Sequence, residues 1–142
     1  MQDTSIFEAS FAAFNAADIE TLYELYTEDC VWDVTRYHGG IAADLADVYT
    51  GHDGVARFVE NFAALIEPWG GASAEFGRAL ELRDGRIWVE GRLRVGSPGG
   101  AAELVEPFIQ LISFRDGKFY EAIVYWEPDE ALRAGGLAEV PA

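Results

Sequence analysis

"AEFGRALELRDGRIWVEGRLRVGSPGGAAELVEPFIQLISFRDGKFYEAIVYW", residues 74–126, is the stretch that decides the fold. Four runs rich in apolar and β-branched residues, 74–83, 86–95, 103–115 and 118–126, are separated only by "RDGR", "GSPGG" and "RDGK". Asp-Gly and Gly-rich connections of this length turn a chain straight back, so the spacing predicts consecutive hairpins and an antiparallel meander.

Upstream the period changes from two to that of a helix. Phe7, Phe11 and Phe14 recur on one face of a helix over 5–17, with Ser5 and Glu8 at capping-box spacing. Asp18 is placed to cap a second helix carrying Ile19, Leu22, Tyr23, Leu25 and Tyr26, which "TEDC" closes before an extended run from Cys30 to Thr35. Residues 41–50 leave room for one short helix. Asp53 then opens a third, whose apolar stripe Val55, Phe58, Val59, Phe62, Leu65 and Ile66 stops at Pro68. Downstream, Pro128 and the pair Gly135 and Gly136 bracket a short final helix. Helices first and strands later define an α+β fold: a curved antiparallel sheet wrapped around three helices, able to enclose a cavity. The 142 residues make one domain, with an ordered core expected over about 5–136.

Composition removes several functions. With 25 acidic against 10 basic residues, the formal charge of -15 repels phosphate backbones and anionic lipid, which argues against nucleic-acid and membrane partners. No apolar run approaches the ~20 residues of a membrane span, and residues 1–7 lack a basic-then-apolar leader, so a cytoplasmic protein is expected. Cys30 is the only cysteine and reads as a small core residue. His38 and His52, the only histidines, are too far apart for one helix face, so no metal is expected. "GHDGVAR" lacks the spacing of a phosphate-cradling loop, and no cofactor is expected.

Four segments carry a family resemblance: "FNAADIETLYELYTEDCVWDVTR" at 14–36, "YTGHDGVARFVENF" at 49–62, "FRDGKFYEA" at 114–122 and "DEALRAGGL" at 129–137. The chain resembles SnoaL-like proteins of the nuclear transport factor 2-like superfamily, which also contains ketosteroid isomerases and polyketide cyclases. The resemblance implies a cone-shaped fold around a small-molecule pocket and a homodimer. It places the isomerase base at Val34, the oxyanion-stabilising tyrosine near Ser10 and its acid partner at Gln110, so that the familiar constellation is absent from this chain.

Other groups must then carry any chemistry. Asp33 neighbours the base position, but strand alternation turns it away from the face shared by Trp32 and Val34, and it reads as a structural acceptor. The loop residues Arg36, Tyr37 and His38 flank the expected mouth, where a histidine suits acid or base work near neutrality. If the "GSPGG" turn centres near Gly99, Arg92 faces Glu106, Glu90 faces Phe108 and Trp88 faces Gln110. Glu90, Arg92 and Glu106 would then form a carboxylate–guanidinium–carboxylate cluster, a weak analogue of the one in epoxide hydrolases of the superfamily. The alternative is an ordinary surface ion pair. Gln110 is a candidate for orienting a carbonyl or hydroxyl. Phe14, Trp32, Val34, Tyr37, Trp88, Glu90, Phe108 and Trp126 are candidate pocket walls, with Tyr49 and Trp69 as outer closures.

The functions that follow are a cofactor-independent isomerase or cyclase acting by general acid and base catalysis on a small apolar carbonyl or polyketide-like compound, a non-catalytic ligand binder or dimeric accessory domain, or, as a further alternative, an epoxide-hydrolase-like hydrolase.

Overall fold

A computed structural model describes residues 4–96 and 103–141; positions 97–100 of the "GSPGG" segment and the last residue of the tail lie outside that range. The elements run α1 (Ser5–Asn15), α2 (Ile19–Leu25), β1 (Tyr26–Asp33), a 3-10 turn (Ala43–Leu45), β2 (Val48–Thr50) and α3 (Gly51–Ile66). A second 3-10 turn (Glu67–Trp69), β3 (Ala72–Glu81), β4 (Ile87–Val95), β5 (Leu104–Arg115), β6 (Lys118–Tyr125) and α4 (Pro128–Gly135) follow. The strands form one sheet in the order β2-β1-β6-β5-β4-β3.

The meander is as the turn chemistry predicts. In "RDGK", Asp116 and Gly117 both take positive φ, 55° and 77°, the mirror-image turn that matches the twist of a hairpin. β6 then receives β1 as a parallel neighbour, with Trp32 beside Ala122. The short β2 extends the edge, pairing Trp32 with Tyr49. Gly77 interrupts the β3–β4 register, a bulge that bends the strand.

Several local expectations change. β1 begins at Tyr26, four residues before the expected start, because Asp18 caps a helix of only seven residues, with its carboxylate accepting from the Thr21 amide. The N-cap of α1 is Thr4 and that of α3 is Thr50, neither with a side-chain cap bond, so Ser5 and Asp53, expected as caps, fall inside their helices. β2 falls in 41–50, where only a helix was expected; three residues are too few to show an alternating pattern. Asn15, the last residue of α1, works as a strap: its side-chain amide donates to the Ala74 carbonyl at 2.9 Å and accepts from the Ala74 amide at 2.7 Å, docking the end of α1 on β3.

Two apolar cores lie on opposite faces of the sheet. On one face, Val89, Leu93, Ile112, Phe119 and Ala122 pack with Phe7 of α1 and with Val55, Phe58 and Phe62 of α3. On the other, Trp88, Ile109, Leu111 and Tyr125 pack with Ala131 of α4. Strand alternation produces this division, since Trp88 stands between Ile87 and Val89 and must point the other way. Among the described residues no helix is long and apolar enough to cross a membrane.

Trp88, fully buried under α4, keeps the second core closed. Trp88→Ala is expected to lower stability by about 3–5 kcal/mol, and urea unfolding measures it. A loss below ~1 kcal/mol would mean that α4 contributes little to the fold.

Candidate functional site

The alternation that separates the cores leaves space on the α1–α3 side. A cavity of about 90 Å³ lies there, and ten of its eighteen lining residues are aromatic. Phe7, Phe11 and Phe14 come from the stripe on α1, and Phe58 and Phe62 from α3. Phe11 stacks on Phe108 with ring centres 6.1 Å apart, Trp32 packs on Phe58 at 4.8 Å, and Phe14 on Phe62 at 5.2 Å. Gly91 faces Phe108 across the β4–β5 pair. A Cβ there would lie 2.6 Å from the Phe108 ring, so the missing side chain is what seats that ring.

Polar groups on this wall are few. Gln110, 8% exposed, stands between Val89 and Val124 and turns its amide to the same space. Tyr26 bonds to the Ser10 hydroxyl; burial pushes the Tyr26 phenol up to about 12, with the Ser10 bond opposing and the Cys30 thiol adding to the rise. Trp32, 6% exposed, holds its indole N–H buried without a hydrogen-bond partner, an arrangement that costs about 1–3 kcal/mol.

Tyr37 completes the wall at the end of β1. Its hydroxyl donates to Glu106 Oε1 at 2.9 Å, and the Ile41 amide lies 3.3 Å from both carboxylate oxygens. Gly40, at φ 75°, lets the loop close on that carboxylate, since a Cβ there would meet Glu106 Oε1 at 2.5 Å. Burial and then the Glu106 carboxylate push the Tyr37 phenol well above its ordinary range, so the proton stays on Tyr37.

The β4–β5 register differs by one residue from the expected one. Arg92 faces Pro107, Gly91 faces Phe108, Val89 faces Gln110 and Trp88 faces Leu111. One residue of slip moves a side chain to the opposite face, so Glu90 and Arg92 leave the face that carries Glu106. Glu90 pairs with Arg78 at 2.9 Å and accepts from the Trp88 indole at 2.8 Å, while Arg92 reaches Glu75 at 3.4 Å. The three-residue cluster does not form, and Trp88 belongs to the α4 core.

The loop candidates divide. Tyr37 turns inward, whereas His38 lies 3.2 Å from Glu130 and 3.5 Å from Glu127, and Arg36 lies 3.3 Å from Glu130, outside the cavity at the start of α4. His38, Glu127 and Glu130 place their ligand-type atoms within 4.8 Å of one another, but they form an exposed ion-pair group. Trp126, 39% exposed, packs edge-on to His38 and stays outside the wall. Tyr49 is buried, donating to the Leu45 carbonyl, and Trp69 is 47% exposed; neither lines the cavity. Asp33 accepts from the Thr35 amide at 2.9 Å, the structural role read from its position. Burial raises the Cys30 thiol, which lies in the core.

Phe14, Trp32, Val34, Tyr37, Phe108 and Gln110 line the cavity, as does Ser10. Phe7, Phe11, Tyr26, Phe58 and Phe62 also line it without having been singled out as site residues. The helical stripes marked four of them as inward-facing; Tyr26 was hidden because its residue type suits either the end of α2 or the start of β1.

Residues 7–122 match the model of the SnoaL-like domain family. No curated protein sequence matches the chain. Among solved structures, a hypothetical protein with a ketosteroid isomerase-like fold from Catenulispora acidiphila, in complex with trimethylamine, is 17% identical, with 99% of this chain and 100% of that chain covered and a TM-score of 0.68. TerC, co-crystallized with polyporic acid, is 24% identical over 92% and 95% of the two chains, with a TM-score of 0.65. A putative polyketide cyclase from Sinorhizobium meliloti is 15% identical over 84% and 93%, with a TM-score of 0.60. At these identities the likeness establishes the fold.

The raised Tyr26 phenol has a measurable consequence. The folded state favours its neutral form, so its contribution to stability is intact below the ordinary value of 10.0 and is lost as the pH rises through about 12. In a spectrophotometric tyrosinate titration, Tyr26→Phe is expected to remove absorbance only above about pH 11. Lost amplitude near pH 10 in that variant would show an ordinary, solvated phenol.

Proposed function

The chain belongs to the SnoaL-like domain family, and from that premise we propose that it binds a compact, largely apolar ring compound and moves a proton at its carbonyl or hydroxyl group without a cofactor. The reaction type is that of an isomerase or cyclase. The observation that carries the proposal is the 2.9 Å bond from Tyr37 to Glu106, on a cavity whose wall holds no ionisable group apart from the hydroxyls of Tyr26 and Tyr37.

Tyr37 is the group that touches the ligand, and Glu106 acts through it. As the ligand gives a proton to the Tyr37 oxygen, the Tyr37 proton passes to Glu106; the reverse transfer returns it to another atom of the ligand. The carboxylate is the net acceptor and the phenol stays neutral, in keeping with its raised pKa. Gln110 supplies amide N–H groups to the negative oxygen that develops on an enolised ligand. The cavity of about 90 Å³ limits the ligand to roughly one ring, with anything larger extending toward the opening. Two solved relatives hold small organic molecules, which supports a ligand-binding use of this fold.

A second reading, binding without turnover, draws on Val34 and Gln110, which line the cavity and fall at the positions where the resemblance to ketosteroid isomerases implies a base and an acid.

Exchange of the α-protons of an enolisable ketone such as 1-indanone into D2O, followed by NMR, separates the two. Glu106→Gln and Tyr37→Phe are each expected to slow exchange by ~100-fold or more with the dissociation constant changed less than about threefold, the span of general acid–base catalysis. His38→Ala should exchange like the parent. Binding without exchange above the buffer rate would leave the second reading.

A further inference from the structure

Resting on the reading of the cavity as a ligand site, we propose that the site takes ligands without negative charge: ketones, esters, amides and neutral hydroxy compounds, with the matching carboxylates turned away. Among the described residues none of the eighteen that line the cavity is Lys, Arg or His, so an anion would find no cation among them. The polar side chains that line it, Ser10, Tyr26, Trp32, Tyr37 and Gln110, are all neutral. Burying an ionised carboxylate among such groups forfeits most of its hydration.

Three further features act in the same direction. The Tyr37 proton is committed to Glu106, so on its side of the wall Tyr37 has no donor to spare for an anion. Glu106, part-buried behind Tyr37, is held by two uncharged partners, the Tyr37 hydroxyl and the Ile41 amide, and its field opposes a second negative charge. The chain as a whole carries a formal charge of -15, which also opposes an approaching anion. A carbonyl oxygen, by contrast, needs one or two neutral donors, such as the Gln110 amide on this wall, where the Trp32 indole N–H is also buried without a partner.

Acetophenone, benzamide and benzoate share one shape and differ in charge, and the Trp32 indole N–H resonance, assigned by its loss in Trp32→Phe, reports from the wall itself. At about pH 8, where a carboxylic acid is ionised, acetophenone and benzamide are expected to shift that resonance saturably. Benzoate should require at least ~100-fold higher concentration. Benzoate binding within about threefold of benzamide would overturn the proposal while leaving the cavity as a ligand site. If none of the three moves the Trp32 resonance, the reading of the cavity falls and this inference falls with it.

Discussion

Everything in this molecule depends on which way the side chains of β5 point. Phe108, Gln110 and Ile112 turn to the cavity, and Ile109 and Leu111 turn to α4. Because a strand alternates strictly, the pairing of Gly91 with Phe108 sets the whole row at once. A register one residue away would bury Glu90 and Arg92 among the phenylalanines of α1 and α3, where two charges would lose their hydration for a single ion pair. The observed register keeps both at the opposite surface, close to Arg78 and Glu75. The bare Gly91 makes that register sterically favourable as well, since it alone clears the ring of Phe108. Packing and electrostatics select the same alignment.

From that constraint the site follows by long-range closure. Glu106 shares the cavity-side face of β5 with Phe108 and Gln110, but it lies toward the end of the strand, where the loop after β1 crosses over it. The loop contributes a phenol from Tyr37, an amide from Ile41 and the open backbone of Gly40, and together they hold the Glu106 carboxylate. Burying a carboxylate on two neutral donors is tolerable only when the geometry is fixed, and the loop is fixed on its outer side as well. There His38 and Arg36 meet the first turn of α4, and Gly39 lies against Trp126. The exposed ion pairs at that end contribute little energy individually. Their role is positional, joining the loop that carries Tyr37 to the helix that covers the far face of the sheet.

The sequence exposes the fold far better than the site, for a physical reason visible in single residues. The meander is written in local signals: Asp116 and Gly117 form a turn because of their own backbone preferences, and the aromatic stripe on α1 faces inward because helical spacing puts it there. Phe14, Trp32, Val34, Phe108 and Gln110 are legible as inward residues on the same grounds. What local reading misses is register and loop closure. A β4–β5 register one residue off was enough to join Glu90, Arg92 and Glu106 on one face, although the sheet separates them onto two. His38 and Tyr37 are adjacent in sequence and equally polar at their tips, yet one reaches α4 and the other lines the cavity. Only the contact of Tyr37 with Glu106, 69 positions away in the chain, distinguishes them.

Val34 on the cavity wall and Glu106 behind Tyr37 leave the described residues of the wall without a carboxylate. A carboxylate on the wall of a small apolar cavity takes a proton directly, but it also carries the full cost of desolvation whenever the cavity is closed. With valine at that position and Glu106 behind Tyr37, the described residues of the wall carry no charged group, and on the proposed reading a proton reaches the carboxylate through the phenolic oxygen. Such an arrangement gives up some basicity at the reacting atom. In return the wall stays compatible with an aromatic lining and with neutral ligands, and the protonation state of Tyr37 is insulated from solvent by burial and by the neighbouring negative charge. The same withdrawal accounts for Gln110, an amide that can donate or accept without altering the charge of the cavity. On the proposed reading, a wall built this way selects ligands by shape and hydrogen-bonding pattern, and the proton moves at the edge where Tyr37 meets Glu106.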